Sequence, residues 1–191
     1  MKAIGICGSA RKEGNTEVLL KRCLDILEKG KIDVEFIRLC DKKISPCKAC
    51  GICRKTLDKT CSIKGDDFHD VFSSMIEADI LIVGSPVYFG SATPQLMSLL
   101  DRAGYVSRGN GNLFYRKIGG PLVVARRAGH NFTYAQLLFW FMINDMIVPG
   151  SGYWNIAFGR AKADIMNDTE GISTIEHFAE NLLWLAEKLY I

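Results

Sequence analysis

Gly8-Ser9-Ala10-Arg11-Lys12-Glu13-Gly14-Asn15-Thr16 follows the apolar run Ala3-Ile4-Gly5-Ile6-Cys7 and precedes a periodic segment opening at Val18, Leu19 and Leu20. A buried strand, a small-residue loop and a helix, in that order, aim consecutive backbone N–H groups, hydroxyls and the positive end of a helix dipole at one place, which suits a phosphate. Ser9, Arg11, Asn15 and Thr16 are the candidate phosphate ligands. Spacing excludes two common phosphate loops. Gly8 to Gly14 is one residue too long for G-x-x-x-x-G-K-[ST], Asn15 stands where its lysine belongs, and no G-x-G-x-x-G occurs. A polar turn that only caps the helix through Asn15 or Thr16 accounts for the caps but not for Ser9 and Arg11.

Working outward, apolar runs bounded by turn residues recur at 3–7, 34–37, 80–84, 122–125 and 146–148. Between them the spacing predicts helices over 15–29, 66–77, 94–104, 132–145 and 173–189, with Gly30 ending the first, Asp66 or Asp67 capping the second and Pro94 in the first turn of the third. Continuous rather than alternating apolar strands indicate burial on both faces, hence a doubly wound α/β domain with a parallel sheet covered by helices. For five strands the flavodoxin-like order 2-1-3-4-5 is expected, with the ligand at the carboxyl edge where the order switches between strands 1 and 3. Segments 105–118 and 149–168 are long, turn-rich excursions. The helix at 132–145 is apolar on every face through Leu137, Leu138, Phe139, Trp140, Phe141, Met142 and Ile143. It needs either a subunit interface or a deep core to cover it.

With 191 residues, 48% of them hydrophobic, the whole chain (1–191) is expected to form one domain that buries a full core unaided. A net charge of +3, with no basic run longer than two residues, leaves no electrostatic footprint for nucleic acid or a membrane surface. The run 137–143 is far short of the ~20 residues that span a bilayer, and Met1-Lys2 leads straight into a strand, so a cytoplasmic location is expected.

Three further motifs carry chemistry. Ser85-Pro86-Val87-Tyr88-Phe89-Gly90-Ser91 leaves strand 3 at the edge of the Ser9 loop, and its aromatic pair on a Pro- and Gly-punctuated turn suits a flat heteroaromatic ring. Arg126-Arg127-Ala128-Gly129-His130 leaves strand 4 at the same edge, where a cation would stabilise a reduced, anionic ring; His130 reads as a surface residue at the start of a helix. The loop 46–61 holds Cys47, Cys50, Cys53 and Cys61, a C-x2-C-x2-C-x7-C spacing dense enough for four thiolates to close round one metal centre. A 4Fe-4S cluster, structural zinc, and free thiols or a disulfide pair all remain open for it. Cys7, Cys23 and Cys40 fall on strands and a helix face and read as buried small hydrophobes. Asp66, Asp67, Asp79, Asp101 and Asp145 lie at element ends without paired spacing and read as caps, so no acid–base machinery is expected.

Gly8-Ser9-x-Arg11-x-x-Gly14-Asn15-Thr16, together with 84–91 and 119–129, resembles the flavodoxin-like NAD(P)H-dependent FMN reductases and iron-sulfur flavoproteins. The resemblance covers most of the chain. It implies an FMN site built from Ser9, Arg11, Asn15, Thr16, Pro86, Val87, Tyr88, Phe89, Gly90, Ser91, Arg126 and Arg127, a 4Fe-4S cluster on the four cysteines, and NAD(P)H as a candidate electron donor. The expected function is an FMN-dependent oxidoreductase that links a two-electron partner to a one-electron carrier such as a ferredoxin, with no catalytic side chain of its own. The alternatives are a cluster-free FMN or quinone reductase and a non-enzymatic electron-transfer module. A homodimer or homotetramer is expected, with the apolar helix at the interface and a neighbouring chain completing the ring pocket.

Overall fold

A computed structural model describes residues 1–190. Five parallel strands, β1 (Lys2–Cys7), β2 (Asp33–Arg38), β3 (Ile80–Pro86), β4 (Ile118–Ala125) and β5 (Ile156–Phe158), stand in the order β2-β1-β3-β4-β5. This is the flavodoxin-like order, with its switch point between β1 and β3. The helices are α1 (Asn15–Lys29), α2 (Ile52–Thr56), α3 (Phe68–Glu77), α4 (Pro94–Gly109), α5 (His130–Ile143) and α6 (Thr169–Tyr190).

Because β1, β3 and β4 are apolar on both faces, each face needs its own cover. On one side Leu20, Leu24, Phe178 and Leu182 of α1 and α6 close over Ala3, Ile80, Ile82 and Leu122. On the other, Phe68, Phe72, Leu96, Leu100 and Phe141 of α3, α4 and α5 close over Ile4, Ile6, Leu81 and Val83. Burying each such side chain stabilises the fold by about 1.5 to 3 kcal/mol. Among the described residues no helix is long and apolar enough to cross a membrane.

The fifth strand is not where the apolar run 146–148 predicts it. That run touches β4 through the single bridge Ile118↔Ile147, supported by Gly119 N–H to Ile147 O at 3.1 Å and Ile147 N–H to Lys117 O at 2.9 Å. The edge of β4 is then vacated by 149–154 and regained at Asn155, whose carbonyl accepts from Val123 N–H at 2.9 Å, with Ile156 opposite Val123. Pro149-Gly150-Ser151-Gly152 breaks the strand early, and only three residues of β5 follow, with an exposed Phe158, so hydrophobicity alone does not reveal it.

The helix at 132–145 is neither a deep core element nor uniform. Leu137, Trp140 and Phe141 face inward, and the Trp140 indole N–H donates to Leu100 O at 2.7 Å. Phe132, Phe139, Met142 and Ile143 point outward, with Phe139 71% exposed.

Candidate functional site

The Ser9 loop leaves β1 and is held by β3 and its sequel. Gly8 N–H donates to Gly84 O at 2.8 Å, Thr93 Oγ1 donates to Gly8 O at 2.8 Å, and Thr93 N–H donates to Ser85 Oγ at 3.1 Å. Within the loop, buried Ser9 accepts from Arg11 N–H at 3.1 Å through Oγ, which sets the turn. The cap of α1 is Gly14, and neither Asn15 nor Thr16 caps it through a side chain. The first-turn N–H groups of α1 therefore face the loop without a capping oxygen, as an anion site requires.

Glu13 sits in the left-handed region at φ +53°, and its N–H donates to Glu17 Oε2 at 2.9 Å. The Glu17 side chain is 1% exposed and accepts from Arg38 at 2.5 Å and from Lys21 at 2.8 Å. Hydrogen bonds from Arg38 pull its carboxyl down to about 2 despite burial. Glu17 thus clamps the loop from behind, leaving its front free.

That front opens on a cavity of about 230 Å³ lined by Ser9, Arg11, Gly14, Asn15, Thr16, Pro86, Val87, Tyr88, Val124, Arg126, Gly159 and Arg160. It brings together the phosphate loop, the start of the aromatic turn and the first arginine after β4. A larger groove, about 350 Å³, lies beside β2, but its Glu35, Arg38, Asp41, Lys42 and Asp70 offset one another in charge. The 230 Å³ cavity instead is lined by three arginines, Arg11, Arg126 and Arg160, and by no acidic residue.

Phe89, Gly90, Ser91 and Arg127 do not line this cavity. Phe89 and Gly90, at φ +51° and +80°, form the two-residue tip between Tyr88 and Ser91, which pair by N–H to O bonds of 2.8 and 3.1 Å. This is a hairpin turn with both central residues left-handed, a conformation a phenylalanine resists. Gln136 Oε1 holds it by accepting from Ser91 Oγ and Ala92 N–H, and Phe89 projects fully into solvent. Asn15 lines the cavity, but its amide is engaged: Nδ2 donates to Ala161 O at 2.8 Å.

Gly159 and Arg160 escape sequence reading because they follow the unrecognised β5. With that strand placed, Phe158-Gly159-Arg160 reads like Cys7-Gly8-Ser9, a strand running into a glycine turn at the carboxyl edge. Thr93 is a further omission whose signal is a threonine before Pro94 at a helix start.

The four cysteines of 46–61 line a second, small and largely apolar cavity with Tyr105 and Val106 of α4. Ala49 and Gly51, at φ +51° and +70°, bend the loop so that Cys47, Cys50 and Cys53 turn to one side. Asn110 pins it to the end of α4, donating to Cys53 O at 3.1 Å and accepting from Lys59 N–H at 2.9 Å. The Ser62 hydroxyl and the Ile52 N–H lower the Cys50 thiol, while burial and the neighbouring Cys61, Cys50 and Cys47 raise that of Cys53. Among the described residues no three His, Cys, Asp or Glu side chains converge closely enough for a single metal ion. Cys7 and Cys23 are buried, with thiols pushed up by burial to about 11 and about 12, whereas Cys40 is only partly covered.

Residues 1–161 match the family described as NADPH-dependent FMN reductase. The chain belongs to that family. Members of the NADPH-dependent FMN reductase family are flavin-dependent oxidoreductases, and the chain is one of them. It is similar over its length to an iron-sulfur flavoprotein of Methanocaldococcus jannaschii, 36% identical over 189 residues covering 95% of each chain. An iron-sulfur flavoprotein of Methanosarcina thermophila is 33% identical over 186 residues, covering 95% of this chain and 93% of that one. Among solved structures, RosB with a bound 8-demethyl-8-formylriboflavin-5'-phosphate intermediate superposes with a TM-score of 0.75 at 17% identity, covering 100% of this chain and 82% of that one. At that identity the likeness speaks for the fold.

Asp66 is more than the helix cap the sequence suggests. Its side chain is 1% exposed and pairs with the equally buried Arg102 at 2.5 Å. Burial opposes its ionisation, yet hydrogen bonds from Arg102 and Ser45 N–H outweigh it and bring the carboxyl down to about 2. Glu17 and Asp66 therefore both have folded values below their unfolded ones of 4.5 and 3.8. Their stabilisation is full above those unfolded values and is lost as pH falls towards 2. Circular dichroism is expected to show acid unfolding in that window, with Glu17→Gln and Asp66→Asn lowering stability at neutral pH by roughly 2 kcal/mol and flattening the acid limb. A wild-type stability unchanged from pH 6 to 2.5 would contradict this.

Proposed function

We propose that the chain is an FMN-dependent oxidoreductase of iron-sulfur flavoprotein type, with FMN in the Ser9 cavity and a 4Fe-4S cluster on Cys47, Cys50, Cys53 and Cys61. The observation that carries it is the pairing of an arginine-rich phosphate cavity at the sheet's switch point with a second cavity lined by four thiols. FMN would supply two-electron and one-electron chemistry, and the cluster one-electron chemistry. The donor set fits a cluster, because all four cysteines line one small cavity and thiolates are the ligands such a cluster takes.

The chain's own residues position and tune. Arg11 and the first turn of α1 take the phosphate, Thr16 adds a hydroxyl, and Pro86, Val87 and Tyr88 face the ring from the β3 loop. Arg126 and Arg160 stabilise negative charge on whatever occupies the rest of the cavity. NAD(P)H is the proposed small-molecule donor and a ferredoxin-like carrier the one-electron partner. A cluster-free reductase is the second reading, favoured by the family match over 1–161.

Cys50→Ser, prepared anaerobically, is expected to lose iron and sulfide yet keep its yellow flavin spectrum, since no residue lines both cavities. Wild-type protein with about four irons per chain is the matching expectation. A wild-type chain that stays iron-free after reconstitution would leave the cluster-free reading.

A homodimer or homotetramer is proposed as the cover for Phe132, Phe139, Met142 and Ile143. Trp140 is no part of that face, so a charge there would disrupt packing rather than assembly. Phe139→Lys with Met142→Lys is expected to sediment as a monomer with unchanged circular dichroism. A wild-type monomer at micromolar concentration would overturn the assembly.

A further inference from the structure

Arg102 stands on α4 one turn before Tyr105 and Val106, and all three line the cysteine cavity. Its side chain is fully buried. Nη1 donates to Asp66 Oδ2 at 2.5 Å and to Ser45 O at 3.1 Å, and Nη2 donates to Ile63 O at 3.2 Å and to Asp66 Oδ1 at 3.4 Å. The guanidinium carbon lies over the Phe68 ring, 3.9 Å from its centroid. Four of the five N–H donors of an arginine are thereby used. The fifth, on Nε, is buried and has no partner among the described residues.

A buried donor on a charged group is costly to leave unpaired, and here it belongs to a residue that lines one small cavity together with all four cysteines of the loop. We infer that the Nε–H of Arg102 donates to a thiolate or sulfide sulfur of the group held by Cys47, Cys50, Cys53 and Cys61, and so sets its reduction potential. The inference rests on the cluster reading of the cysteine loop. Hydrogen bonds to the sulfurs are one of the means by which a protein tunes such a centre. A donor stabilises the more negative, reduced state more than the oxidised one, so it raises the potential. Asp66 is a charge partner for the cation, which leaves the unpaired Nε–H as the tuning element.

Two variants separate this role from simple support. Arg102→Lys keeps the cation for Asp66 but removes the Nε donor. Asp66→Asn keeps the donor and releases the guanidinium charge. In redox titrations of reconstituted holoprotein followed by electron paramagnetic resonance, Arg102→Lys is expected to lower the potential. The reduced-to-oxidised ratio at fixed ambient potential should fall up to tenfold, which is about 59 mV for one electron. Asp66→Asn is expected to raise the potential. A merely structural pair would move both variants in one direction, and that result, or no shift in either with iron and sulfide intact, would overturn the inference. Wild-type protein that takes up no iron would instead remove the cluster reading, and this inference with it.

Discussion

Gly119→Ala is expected to yield no folded, flavin-binding protein. Gly119 sits at φ +155° in β4, paired across from Leu81 of β3. A Cβ at that position would lie 1.9 Å from Leu81 O, 2.8 Å from its carbonyl carbon and 3.0 Å from its N. All three atoms are backbone, so no rotamer can relieve the overlap, and the strands must part where they are normally about 4.8 Å apart. Parting them breaks the β3–β4 ladder and separates the two cores that cover it. A cost above 4 to 5 kcal/mol is exceptional for one substitution, but it is large against the 5 to 15 kcal/mol that holds a typical domain together. Gly120→Ala is the control, because its Cβ would meet only the Phe178 ring edge and a Val148 methyl near 3 Å, groups that can shift. Soluble yield and circular dichroism should separate the two, and a Gly119→Ala protein melting like wild type would show the strand pairing to be wrong.

The same pair of strands shows how far the sequence could be read. β1, β3 and the strong half of β4 are continuous apolar runs, so a parallel sheet covered on both faces follows from hydrophobicity, while the order β2-β1-β3-β4-β5 is the flavodoxin-like default for five such strands. The first half of β4 is Ile118-Gly119-Gly120-Pro121, whose glycines and proline fall outside the apolar run 122–125; the structure uses the glycines for close backbone approach and for packing against α6. β5 was hidden for the reason opposite to that which exposed β1. It is a three-residue edge strand whose apolar signal is weaker than that of the neighbouring 146–148. Missing it also concealed Arg160. The cysteine loop was legible as a dense run of thiols, and the structure brings all four to one cavity, but Arg102 lies 41 residues from Cys61 on an amphipathic helix, and nothing in one-dimensional spacing ties the two together. Likewise the outward set Phe132, Phe139, Met142 and Ile143 could not be separated from the inward Trp140 and Phe141 in a run where every residue is apolar.

Arg11→Ala combined with Thr16→Val is expected to weaken FMN by roughly a thousandfold while leaving riboflavin within about twofold, because both residues line the part of the cavity proposed to take the phosphate. Each loss removes a hydrogen bond to a charged group, worth about 1.5 to 3 kcal/mol, and each 1.4 kcal/mol is about tenfold in affinity. The two substitutions need not add fully, since both act on one phosphate. Valine is the right replacement at Thr16. The Thr16 methyl lies against Gly84, 3.1 Å from where a Cβ would be, so alanine would open a gap between α1 and β3 and blur a binding effect with a packing one. Arg11 is exposed and reaches Arg160 O at 3.3 Å, so alanine there costs little in folding. Isothermal titration of the apoprotein with each flavin gives the comparison directly. Riboflavin has the ring and the ribityl chain but no phosphate, so a selective loss of FMN places the phosphate at the Ser9 loop. If both flavins weaken together, the loop shapes the cavity as a whole, and the phosphate must be sought at Arg126, the arginine that lines the cavity from the end of β4.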